Sequence, residues 1–230
     1  MENLSIVETA DGSKTIFNAE VGEHYHSNHG ALQESLHVFV NAGLKYYLEN
    51  NPSDEVNICE VGFGTGLNFL LTADYCTAEK IKLNYTGIEA FPLEQELNSQ
   101  TGYDHYVSDD VWTSYQQKYV DCLKNPQQIS TCCTLKIEPV RLLHFDTNQK
   151  FNLIYYDAFA VRYQPEMWSD ESIKHILKFL KVGGVFVTYA ITGNLKRSLQ
   201  SLGCTIQKIP GAGKKREMLR AVKNTNSGEL

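Results

Sequence analysis

Two short segments near the start alternate apolar and polar residues, Leu4–Thr9 and Lys14–Asn18, and Asp11-Gly12 between them is a hairpin turn pair. A polar, irregular stretch follows, Glu23-His24-Tyr25-His26-Ser27-Asn28-His29-Gly30. It leads into a helix, because Leu32, Leu36, Phe39, Val40, Leu44 and Tyr47 recur at helical spacing until residues 50–54 end it. Beyond that point, apolar runs of strand length alternate with helical patterns. Val56–Val61, Leu83–Glu89, Thr134–Ile137, Phe151–Tyr156 and Val185–Tyr189 read as strands. The helices read as Leu67–Tyr75, one opened by Pro92 at its favoured first-turn position, an inserted Asp109–Leu123, Glu171–Leu180 stopped by Gly183-Gly184, and Leu195–Leu202 capped by Gly203. Thr205–Ile209 and Glu217–Val222 are two consecutive closing strands around Gly211 and Gly213.

Alternation of this kind predicts an α/β fold, a mostly parallel sheet with helices on both faces. The two closing strands predict a terminal hairpin, and so one antiparallel strand in a sheet of seven. At 230 residues and 42% hydrophobic content the chain can bury one sizeable core. No linker rich in Gly, Ser or Pro divides it, so one domain is expected.

Candidate chemistry begins at Ile58-Cys59-Glu60-Val61-Gly62-Phe63-Gly64-Thr65-Gly66-Leu67-Asn68-Phe69, which runs strand, turn, helix. Glycines let a backbone turn sharply and let a ligand come close, and the helix behind them offers free N–H groups. The third glycine comes one residue too early for the dinucleotide fingerprint, and no phosphate-binding lysine follows. The form E-x-G-x-G-x-G resembles instead the first motif of the Rossmann-like class I S-adenosylmethionine (SAM)-dependent methyltransferases. Glu89 ends the next strand, where a carboxylate can accept hydrogen bonds from both ribose hydroxyls.

Asp157 ends the strand Phe151–Tyr156 and precedes a loop of large side chains that reaches Pro165-Glu166-Met167-Trp168. A carboxylate there suits an amine acceptor, because methyl transfer needs a neutral amine with its lone pair aimed at the methyl group. An N-cap or a cofactor contact is the plainer alternative. His24, His26 and His29 carry no metal-ligand pattern, with no supporting carboxylate or cysteine nearby, so pocket or local structural roles are expected and no metal. The six cysteines contain no C-x-x-C pair, and Cys132-Cys133 reads as part of a half-buried strand.

Three separated stretches resemble one family, the methyltransferase domain of MnmC. They are Glu60 through Leu70, Tyr156-Asp157-Ala158-Phe159-Ala160 through Trp168, and Gly203 through Gly211-Ala212-Gly213-Lys214-Lys215-Arg216-Glu217-Met218-Leu219. Tyr25 through Phe39 is similar to that family's lead-in segment. The resemblance implies SAM-dependent methylation of the exocyclic amine of 5-aminomethyl(-2-thio)uridine at the tRNA wobble position. It implies a cofactor site of Glu60, Gly62, Phe63, Gly64, Thr65, Gly66, Asn68, Glu89 and Asp157. Glu138, in Lys136-Ile137-Glu138-Pro139, stands in for the family's acidic residue on the adenine side. Asp157 would serve the substrate amine as catalytic residue. Tyr25, His26, Ser27, Phe159, Lys214, Lys215 and Arg216 would face the substrate. Residues 1–30 would form a hairpin and lead-in, and residues 31–230 the SAM-binding core. Ala158 replaces a family glycine and Val161-Arg162 a Pro-Ala pair, changes that could reshape the acceptor pocket. Two-domain relatives carry a flavin-dependent oxidase after this domain, whereas this sequence stops at Leu230. A separate enzyme is therefore expected to supply the aminomethyl intermediate.

Charge adds to this picture. The net charge is −6, but the last forty-one residues carry eight basic side chains against Glu217 and Glu229. A basic face on an acidic protein can hold a phosphate backbone, with a solvated surface as the alternative. No apolar run approaches the ~20 residues of a membrane span, and Met1–Glu8 lacks the pattern of a secretory signal. A cytoplasmic protein with tRNA as partner and no membrane contact is expected. Competing readings are a SAM-dependent methyltransferase for another amine or a protein, a non-catalytic SAM-fold module that binds RNA or protein, and a nucleotide-dependent oxidoreductase.

Overall fold

The structure, a computed structural model, describes residues 3–213 and 216–224. Its main sheet has eight strands: β4 (Glu55–Val61), β5 (Lys82–Ile88), β6 (Gln127–Gln128), β7 (Cys133–Glu138), β8 (Phe151–Tyr156), β9 (Leu180–Thr188), β10 (Cys204–Pro210) and β11 (Glu217–Lys223). Their spatial order is β10-β11-β9-β8-β4-β5-β7-β6. The five central strands, β9 to β7 in that order, are parallel, and β11 runs antiparallel to both neighbours. The order reverses between β4 and β8, the place where open α/β sheets hold ligands beyond their carboxyl ends. A small antiparallel sheet precedes this body, made of β1 (Leu4–Glu8), β2 (Lys14–Asn18) and β3 (Glu23–His24).

Side chains alternate along each buried strand and feed two cores. On one face Tyr155, Tyr85 and Ile58 pack with Phe69 of α3 (Leu67–Ala78) and Tyr115 of α5 (Asp109–Cys122). Phe39, Val40 and Leu44 join them from a π-helical turn series, Leu36–Lys45, set between α1 (Ala31–Ser35) and α2 (Tyr46–Asn50). On the other face Ile154, Tyr156 and Phe186 pack with Ile173 and Ile176 of α6 (Asp170–Leu177) and with Leu195 and Leu199 of α7 (Gly193–Ser201).

Several expected boundaries move. Pro92 does not open a helix. The Phe91 N–H is taken by Glu89 Oε1 at 3.0 Å, which turns the chain, and α4 (Gln95–Ser99) starts three residues after the proline. Gly183-Gly184 does not stop a helix either. The helix ends at Leu177, and β9 already pairs at Leu180 with Phe151. The register then jumps to Val185 opposite Leu153, so the glycines form a bulge, with Gly183 at φ +76°. The sheet gains an eighth strand, the two-residue β6, antiparallel to β7, which no alternation in the sequence announces. Glu23–His24, expected to be irregular, adds an edge strand to the hairpin.

Candidate active site

The glycine loop leaves β4 and is stitched to the end of β5. Gly62 N and Phe63 N both donate to Ile88 O, at 3.0 and 3.2 Å. The next residue on β5's side, Glu89, takes the Gly64 N–H on Oε2 at 2.9 Å. Its Oε1 takes Phe91 N. Each carboxylate oxygen keeps a second lone pair, so Glu89 can hold the loop and still accept two ligand hydroxyls. Burial pushes the Glu89 carboxyl up, against the pull of these backbone N–H donors.

Two glycines of the loop are required sterically. A Cβ on Gly62 would lie 2.5 Å from Asp157 O, because β8's exit crosses directly over it. A Cβ on Gly64, at φ +52°, would lie 2.8 Å from Tyr25 Cδ1. Tyr25 therefore caps the loop from the N-terminal side. Its ring meets Phe159 edge-on at 5.1 Å between centroids. Burial and the nearby Glu89 charge raise its phenol above the usual range.

Asp157 begins the loop that follows β8, with its N–H on Val61 O at 2.8 Å. Asn68, in the first turn of α3, donates from Nδ2 to Asp157 Oδ2 and to Glu60 Oε1, both at 2.8 Å. Glu60 is wholly buried, and its Oε2 takes the Tyr85 hydroxyl at 2.8 Å. Burial pushes Glu60 well above the carboxylate range, and the charges of Asp157 and Glu89 add to this.

The predicted residues thus divide. Gly62, Gly64, Gly66, Glu89, Asp157, Tyr25 and Phe159 come together at the carboxyl edge of β4, β5 and β8. Glu138 ends β7 beside them; its carbonyl accepts Glu89 N at 3.1 Å and its carboxylate lies 3.6 Å from Lys136 Nζ. Phe63 and Thr65 turn inward. Phe63 packs its ring against Gly87 and Phe69, and Thr65 Oγ1 takes the Tyr103 hydroxyl at 3.0 Å. Both offer the site main chain rather than side chain. Glu60 and Asn68 lie beneath the loop, fully or almost fully buried. His26 pairs with Thr15 through Nδ1 at 3.2 Å, and burial holds its imidazole down at about 4. Ser27 N donates to Glu34 Oε2 at 3.0 Å. Arg216 is exposed just before β11, while Lys214 and Lys215 lie outside the described residues.

Two further residues hold the loop after β8, and neither stands out in the sequence as a site residue. Tyr189 donates its hydroxyl to Ala158 O at 2.9 Å, and Trp168 donates Nε1–H to Phe159 O at 2.8 Å. The signal for Tyr189 is its place just past the carboxyl end of a buried strand. The basic C-terminal part is also less basic at the surface than its sequence. Arg220 stacks 3.3 Å from the Tyr46 ring centroid and donates to Ala42 O and Gln207. Lys223 is buried and donates to Leu177 O and Leu180 O.

These residues fit a SAM-type cofactor. The loop backbone is bare where a Cβ would intrude, α3 starts without a side-chain cap, and Glu89 stands beside the loop at the end of β5. Among the described residues no cluster of His, Cys, Asp and Glu could hold a metal ion, and no helix is long and apolar enough to cross a membrane.

Comparison with known proteins points to the same cofactor class. A family described as S-adenosyl-L-methionine-dependent methyltransferase matches residues 106–224. The chain is 30% identical over 207 residues to the tRNA 5-methylaminomethyl-2-thiouridine biosynthesis bifunctional protein MnmC of Magnetococcus marinus, covering 86% of this chain and 31% of that protein. With the protein of the same name from Campylobacter hominis it is 27% identical over 220 residues, covering 94% and 32%. The chain thus spans about a third of the length of the curated relatives it matches. The crystal structure of MnmC2 from Aquifex aeolicus shares the fold, with a TM-score of 0.76 at 24% identity over 97% of this chain and 72% of that one.

Proposed function

The chain belongs to the S-adenosyl-L-methionine-dependent methyltransferase family, and from that premise we propose that it methylates the exocyclic amine of 5-aminomethyl(-2-thio)uridine at the tRNA wobble position, giving 5-methylaminomethyl(-2-thio)uridine. The observation that carries the reading is the placement of Asp157 against Gly62 of the glycine loop, with its carboxyl held by Asn68 of α3. The similarity to MnmC proteins over 86% of the chain supports the choice of acceptor.

When bound, the cofactor supplies an electrophilic methyl group on a sulfonium. The backbone of Gly62, Gly64 and Gly66 would cradle it, Glu89 would take its ribose hydroxyls, and Glu138 would border its adenine side. Asp157 accepts a hydrogen bond from the acceptor amine and aims its lone pair at the methyl carbon. The cofactor would give up its methyl group to that lone pair and leave as the neutral thioether, and this chain's part is to hold the amine neutral and in line. The proton shed by nitrogen passes to the Asp157 carboxylate and on to water. Tyr25 and Phe159 offer edges and faces against which an unstacked base can lie. Lys214, Lys215 and Arg216 contact tRNA phosphates, which position the nucleic acid without reading its sequence.

Residues 1–230 act as one methyltransferase domain in the cytoplasm, where tRNA is modified. The acceptor must reach this site already as the aminomethyl form, so an active site other than this one supplies it. Replacing Asp157 by Ala tests the reading. Methyl transfer falls at least ~100-fold while SAM still binds; turnover at the wild-type rate would remove Asp157 from the chemistry.

A further inference from the structure

Asn68 is 2% exposed, and its side chain is unusual in how its hydrogens are spent. A primary amide nitrogen carries two hydrogens. Here one goes to Asp157 Oδ2 and the other to Glu60 Oε1, each at 2.8 Å. The opposite orientation would set the amide oxygen against two carboxyl oxygens. The chosen one leaves Asn68 Oδ1 buried with no hydrogen-bond partner. A buried carbonyl oxygen without a donor is a standing cost, and it persists where the other end of the group is needed.

Glu60 anchors the far side. It lies on β4 with no exposure and is held on its second oxygen by Tyr85 of β5. Glu60 is the deeper of the two carboxyl groups that Asn68 joins, and burial is the main cause that raises it.

We infer that Asn68 is a positioning residue for methyl transfer: anchored on Glu60, it fixes the carboxyl of Asp157 in the direction from which it meets the acceptor amine. This rests on the reading of Asp157 given above, and it moves Asn68 out of the cofactor contacts. The chain of groups crosses the sheet, from Tyr85 on β5 through Glu60 on β4 and Asn68 on α3 to the end of β8. A one-ångström displacement of any of them would be passed to the acid that faces the substrate.

The test is single-turnover methyl transfer, read beside SAM affinity by calorimetry, on the full chain. Asn68→Ala slows transfer ~10–100-fold, with SAM affinity within about threefold of wild type. In an Asp157→Ala background the same change costs no more than about twofold, because Asn68 acts through Asp157. The inference is overturned if SAM affinity falls by as much as the rate, or if the full cost persists in that background. Should circular dichroism find Asn68→Ala unfolded, the near-isosteric Asn68→Asp replaces it. That variant exchanges the donor for an acceptor and lowers the rate at least as far; a wild-type rate would overturn the inference. Asp157→Ala turning over at the wild-type rate would sink the acceptor-site reading first, and this inference with it.

Discussion

The Gly64 N–H donates to Glu89 Oε2 at 2.9 Å, so the midpoint of the glycine loop is held by the side chain that follows the neighbouring strand. One carboxylate thereby shapes the loop and stands ready for the ligand. Glu89→Ala removes both services. SAM affinity is expected to fall roughly 10–100-fold, the equivalent of one or two hydrogen bonds to a charged group. Calorimetry reads it directly, and a loss below about threefold would contradict the assignment.

Gly64→Asp probes the same loop from the other side. Its Cβ would meet the Tyr25 ring at 2.8 Å, at a φ of +52° that a side chain adopts only under strain. A charge would also enter the cofactor's path. SAM binding is expected to be lost, with a cost to stability of about 1–3 kcal/mol. Retained affinity would mean that the cofactor does not pass over Gly64.

Glu60→Gln tests the neutral state of the buried acid through stability. An acid with a raised folded pKa takes up protons on folding. Its contribution is fully present below the unfolded value near 4.3 and is lost as pH rises toward the folded value. The glutamine variant has no proton to lose. Its stability relative to wild type is therefore expected to rise with pH above about 4.3, by up to ~1.4 kcal/mol per pH unit. Denaturant melts across pH 5–8 give the slope. A flat difference would mean that Glu60 is ionised in the folded protein.

Much of this site was legible in the sequence, for a local reason. The turn after β4, Glu89 after β5 and Asp157 after β8 each follow an apolar run of strand length, and that pattern alone places them on one sheet edge. Directions were not legible. Thr65 and Phe63 belong to the motif yet turn into the core, because Tyr103 and Gly87 receive them from distant parts of the chain. Asn68 meets Asp157 across 89 residues, a pairing that periodicity does not encode. Gly183-Gly184 carried a true signal that was open to two readings. The run Leu177, Phe179, Leu180 suits either a helix or a strand, and the pairing of Leu180 with Phe151 decides for the strand.

The two ends of the basic C-terminal part are expected to behave differently. Arg220→Ala removes a guanidinium stacked on Tyr46 and bonded to Ala42 O, so it lowers stability by about 1–3 kcal/mol. Replacing Lys214, Lys215 and Arg216 together by Ala is a test of nucleic-acid binding instead. It weakens tRNA binding and reduces the salt slope by about one unit for each phosphate that is no longer neutralised. Binding titrations over a range of salt concentrations separate the two, and an unaltered slope would return the cluster to a solvated surface.

The central claim is best met by one measurement: methyl transfer from labelled SAM to tRNA isolated from cells that lack this protein, followed by nucleoside analysis. The expected result is label in 5-methylaminomethyl(-2-thio)uridine, dependent on Asp157. Absence of label in that nucleoside, with SAM still bound, would contradict the proposed acceptor and leave a methyltransferase for a different amine.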